Sequence, residues 1–165
     1  MVQQNNTTQK KKSLFLKMPP GQLVVYCTMH PQDSLAQTAM DTRMDRAFDV
    51  MADCAHFLPM DKKMQLLSCV ERTVTQKDVT PRPSEFSDMF MHMKLKDRTS
   101  KDTALQTAIP DLISFSQVPM SEHKKQRLAH FMQRLGRDAF GRSASDFERG
   151  MDAYKQATSL FPHSL

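Results

Sequence analysis

The chain has 165 residues and a formal charge of +5, with 39% hydrophobic and 25% charged residues. That length and balance suit one ordinary folded domain and argue against a disordered chain. No apolar run is long enough to cross a bilayer, and three cysteines, an odd number, point to reduced thiols rather than a disulfide scaffold.

Residues 1–12, "MVQQNNTTQKKK", are polar and aperiodic, and read as a disordered basic tail carrying Lys10, Lys11 and Lys12. The helical domain is expected over residues 13–165. It opens on "SLFLKM" and "QLVVYCTM", two runs rich in Leu, Val, Phe and Tyr around the turn residues "PPG". That pattern predicts a short β hairpin or strand packed on helices. The apolar run after the lysines is too short for a signal peptide.

Asp33 or Ser34 can cap a long helix that runs to about Leu58. Ala36, Met40, Met44, Ala47, Met51, Cys54 and Leu58 recur every three or four residues and form its inner stripe, widened by Phe48 and Ala55. Pro59 ends it, and Asp61 can cap the next helix, which buries Leu67, Val70 and Val74. The short connector predicts an antiparallel pair of these two helices.

"DVTPRPSE" breaks the chain before a third helix from Ser84. A fourth element, "SKDTALQTAIPDLISF", is expected to be short or kinked at Pro110. Ser121 opens "SEHKKQRLAHFMQRLGRDAF", with Leu128, Phe131, Met132, Leu135 and Ala139 on one face. A last helix is expected from Ser145. The fold class is therefore mainly α: a single domain of five or six amphipathic helices with a short N-terminal β segment.

Charge is distributed unevenly. Residues 1–20 hold four lysines and no acid, and residues 121–142 hold six bases against two acids. The helix of 121–140 turns Arg127, His130, Arg134 and Arg137 outward, preceded by Lys124 and Lys125 and followed by Arg142. Opposite in sign is the stretch "MDTRMDRAFDVMADCAHF", where Asp41, Asp45, Asp49 and Asp53 stand four apart. At helical pitch they sweep a band about 120° wide, facing away from the Met stripe. Like charges at that spacing cost about 0.2–0.5 kcal/mol per pair. An ordinary solvated face can carry that cost. The band otherwise meets a basic surface: this chain's own 124–142 segment, a second copy's, or a partner's.

Signatures of chemistry are sparse. No glycine-rich phosphate loop, HExxH or GxSxG occurs. Cys54 and His56 would point about 200° apart on a helix, so they cannot share a zinc ion with Cys27 and His30. In "MFMHM", Met89 and Met93 share a face that Met91 leaves. No acid stands in a context that shows burial.

These features describe a non-enzymatic regulatory or interaction protein that works through protein contacts, including self-association. The contact residues are Asp41, Asp45, Asp49 and Asp53. The alternative is a nucleic-acid-binding regulator that contacts phosphates through Lys10, Lys11, Lys12, Lys124, Lys125, Arg127, Arg134, Arg137 and Arg142. No metal, cofactor or small-molecule substrate is implied. The compartment is the cytoplasm or another reducing one, or the nucleus for a eukaryotic or viral chain.

Overall fold

A computed structural model describes residues 2–75, 82–118 and 122–139, with side chains for 7–75, 82–118 and 122–135. Among the described residues there are seven helices and no strand: α1 (Val2–Lys17), α2 (Pro20–Met29), α3 (Ser34–Ala55), α4 (Met60–Thr75), α5 (Pro83–Phe90), α6 (Leu95–Phe115) and α7 (Glu122–Ala139). The helix expected from Ser145 and residue Arg142 lie outside the described residues, as does the side chain of Arg137.

The expected β segment is helical. Both of its runs belong to helices, and "PPG" is a helix start rather than a hairpin turn. Pro19 is the extended N-cap of α2, at φ −52° and ψ 137°, and Pro20 occupies the first turn. Proline fits there because its fixed φ is already helical and its missing N–H would have had no partner. Leu23 and Cys27, four apart, are both buried. Val and Tyr favour strands because they suit a half-buried surface, and a helix laid on other helices provides one too. α1 also runs back through the polar residues expected as a tail, where Lys10, Lys11 and Lys12 are exposed.

α3 is the central helix. Its predicted stripe is buried, together with Phe48 and Ala55. α6, α1, α7 and α2 pack around it. The antiparallel pairing of α3 with α4 is not what organises the fold. α4 packs chiefly on α7 and α5, and α5 bridges to α6. A short connector requires two helices to meet at one end, not to lie side by side.

α6 is longer than its proline suggested. It begins at Leu95 and continues through Pro110 to Phe115. Pro110 has no N–H for the carbonyl of Gln106, but both residues are exposed, so solvent can reach that carbonyl. The buried face of Leu105, Ala108, Ile109, Leu112 and Phe115 holds the helix together across the site.

The N-terminus of α3 is fastened twice. Asp33 Oδ1 accepts from the Ala36 N–H at 3.2 Å, and Oδ2 accepts from the Tyr26 hydroxyl at 2.8 Å. The Tyr26 hydrogen bond and then the Ala36 N–H hold the Asp33 carboxyl below its ordinary 3.8. A lowered folded pKa means that the unfolded chain takes up protons first. The cap's contribution is therefore full above the ordinary value and lost as pH falls through the folded one. Asp33→Ala is expected to cost about 1 kcal/mol at pH 7. Urea unfolding should show the wild-type and variant curves converging in acid; a gap that persists at pH 2 would assign the cost to something other than the ionised cap.

Candidate functional site

The aspartate ladder and the basic helix meet. Both come from patterned helices whose apolar faces pack together, with Phe48 of α3 against Phe131 of α7 at 5.8 Å between ring centroids. That packing sets the outer edges of the two helices side by side. His123 Nε2 lies 2.7 Å from Asp45 Oδ1. Arg127 places Nε 3.1 Å from Asp45 Oδ1 and donates from Nη2 to Asp49 Oδ1 at 2.9 Å. One helical turn pair further on, Arg134 donates to Asp53. Asp45, Asp49 and Asp53 on α3 thus meet His123, Arg127 and Arg134 on α7, so this part of the ladder is a seam within the chain.

The seam is mostly wet. Asp49 and Asp53 side chains are 62% and 51% exposed, and Arg134 is 47% exposed. Pairs of that kind contribute about 0–1 kcal/mol each. They fix the alignment of α7 on α3 more than its affinity. Asp41 stands apart from the seam. It makes no ion pair there, and burial pushes its carboxyl above the ordinary value, with His123 pulling it back.

The remaining predicted basic residues are scattered. Lys124 is 3% exposed, and its Nζ donates to the carbonyls of Ser116 and Val118 at the end of α6. It closes a helix terminus rather than facing a partner. Lys125 sits 3.3 Å from Glu122 on its own helix. Lys10, Lys11 and Lys12 lie on α1, apart from this face.

A second charged assembly escaped the sequence reading. Arg43 and Asp111 are both buried, at 6% and 4% exposure. The guanidinium forks onto the carboxylate, Nη2 to Oδ1 at 2.8 Å and Nε to Oδ2 at 3.3 Å. Nη1 donates to the carbonyls of Phe15 and Met18, and the cation sits 5.3 Å from the ring centroid of Phe115. Arg43 thereby ties α1, α3 and α6. Burial raises the Asp111 carboxyl, and Arg43 opposes that. The sequence context singles out no acid as buried, and Asp111 is buried. The signal was present: Arg43 falls on the stripe of α3 and Asp111 on that of α6, with opposite signs.

The three cysteines are buried and unbridged. Burial raises all three thiols, Cys54 to about 11, so they stay protonated near neutral pH. Among the described residues no three of His, Cys, Asp or Glu gather at metal-binding distance.

Among the clefts that the described residues leave open is a groove of about 230 Å³ between α5 and α6. Pro83, Phe90, Leu105, Ile109 and Pro110 form its apolar wall, with Met91 at one edge. Met91 and, four positions on at the start of α6, Leu95 are 59% and 68% exposed. The first turns of α6 carry Lys94, Lys96, Arg98 and Lys101 against Asp97 and Asp102. Arg98 also donates to the carbonyl of Met91 at 3.3 Å.

Together these features define an all-helical protein organised on one central helix, with an internal charged seam and an open apolar groove. Comparison with protein-family models, with curated proteins and with solved structures finds no match to this chain.

Proposed function

We propose that this is a small non-enzymatic interaction protein, and that its protein-contact surface is the α5–α6 groove. One observation carries the reading: Met91 exposes a large apolar side chain at the edge of a groove with apolar walls, while Asp45, Asp49 and Asp53 are paired within the chain. Methionine is suited to such an edge, because its unbranched side chain adapts to different partner shapes. An amphipathic helix of a partner would lay its apolar residues along Phe90, Leu105 and Ile109. The excess of bases over acids on the first turns of α6 favours an acidic flank on that partner.

The test is a photo-crosslinker at position 91, with a second at Ser68 on α4 as a control, followed by mass measurement of the adduct. Met91→Glu should cut recovery of the partner roughly tenfold or more, and Asp53→Lys should not. Equal crosslinking from both positions, or loss with Asp53→Lys alone, would move the contact surface away from this groove. Adducts of the chain with itself would identify the partner as a second copy. The nucleic-acid reading keeps the exposed Lys10, Lys11 and Lys12, with Lys125, Arg137 and Arg142, while Arg127 and Arg134 are engaged by aspartates. A low-salt gel shift decides it.

A further inference from the structure

A separate cleft of about 390 Å³ opens where α2, α3 and α7 converge. Met40, Met44 and Val118 supply its apolar wall, with Pro31 at its edge. Its polar lining can be accounted for group by group. The Thr28 hydroxyl donates to the Val24 carbonyl at 2.8 Å, and Gln37 Nε2 donates to the Cys27 carbonyl at 3.2 Å. Lys124 closes the end of α6, and His123 has Nε2 on Asp45. Asp41 is different. Asp41 lines the cleft; burial and the charge of Asp45 raise its carboxyl, His123 lowers it, and among the described residues nothing hydrogen-bonds to it. A part-buried carboxylate with no protein donor is completed by water or by a ligand that brings a donor.

We propose that this cleft binds a small organic ammonium ion, whose cationic head hydrogen-bonds to Asp41 and whose apolar body packs on Met40, Met44 and Val118. The size is that of an ordinary small-molecule site, mostly apolar with one orienting polar group. The thioethers of Met40 and Met44 are polarisable and suit the carbons next to an ammonium group. A neutral ligand leaves the carboxylate charge uncompensated, and the two basic residues of the lining are engaged elsewhere, Lys124 on the Ser116 and Val118 carbonyls and His123 on Asp45. This departs from the sequence expectation that no small molecule is bound. It does not depend on the α5–α6 groove, which lies on other helices.

The test uses the full chain and methyl-detected NMR titration. Phenethylamine is the free-amine probe, and Nα-acetyl-lysine amide represents a lysine side chain. 2-Phenylethanol is the neutral control. Either amine shifting the Met40 and Met44 methyl resonances supports the site, and their relative affinity tells a free amine from a lysine side chain. The alcohol should bind roughly tenfold or more weakly than phenethylamine, and Asp41→Asn should weaken the amine by a similar factor. Circular dichroism checks that the variant keeps its helices. If it does not, the amine-against-alcohol comparison on the wild type decides alone. Equal binding of amine and alcohol, no binding of either amine, or full affinity in a folded Asp41→Asn variant would overturn the proposal.

Discussion

Arg43→Ala is expected to lower the free energy of unfolding by about 3–5 kcal/mol, the cost of leaving one member of a buried ion pair alone. That is a large share of the roughly 5–15 kcal/mol that holds an average domain. The substitution strips three things at once: the fork onto Asp111, the donors to the Phe15 and Met18 carbonyls, and the cation over Phe115. The defect is also pH-dependent in a fixed direction. Burial raises the Asp111 carboxyl in the fold, so its ionisation opposes folding as pH rises through the folded pKa. Without Arg43 that penalty grows. Urea unfolding should therefore show a smaller gap between variant and wild type at pH 3 than at pH 7. Pairing Arg43→Met with Asp111→Leu should recover the part due to the stranded carboxylate but not the part due to the two carbonyls. A single-variant loss under about 1 kcal/mol would mean that water reaches Asp111 freely.

The second large effect lies in α7. Phe131→Ala should cost about 3–5 kcal/mol, because it opens a cavity against Phe48 where both rings are almost fully buried. Arg134→Ala, which removes an exposed seam pair with Asp53, should cost about 0–1 kcal/mol and less in high salt. The contrast separates what attaches α7 from what aligns it. Unfolding curves for the two variants in low and high salt provide the measurement. If Arg134→Ala matched Phe131→Ala, the seam and not the apolar face would be the main source of attachment.

Much of the helical architecture was legible, because the signals were local. The cap at Asp33 and the stripe from Ala36 to Leu58 need only neighbours within a turn. So does the inner face of α7. The error at the N-terminus had a physical cause. Leu, Val and Tyr in a short run suit any half-buried surface, so seven or eight residues cannot tell a strand from a helix packed on one side. Pro19 and Pro20 compounded it, since the same pair that makes a turn also starts a helix. At Pro110 a local penalty was overruled by five apolar residues that pack on other helices. The site was legible in part. The ladder and the basic helix could each be read from spacing, but their meeting depends on how α7 lies across α3. The pair Arg43 and Asp111 is separated by 68 positions. Only the placement of charge within two apolar stripes hinted at it. Asp41 belonged to the ladder by spacing and left it by geometry, which no periodic pattern could reveal.

The proline within α6 gives the proposed contact surface a sense of direction. Gln106 and Pro110 both line the α5–α6 groove. Because Pro110 brings no N–H, the carbonyl of Gln106 keeps a lone pair that an unbroken helix would have used. Where that carbonyl faces the mostly greasy slot, it is a main-chain acceptor at a fixed point along its length. Apolar walls alone would tolerate a bound segment running either way. A guest with a donor at the matching position gains from one polarity of the chain and loses from the reverse, so the imperfection in the helix becomes a marker of orientation.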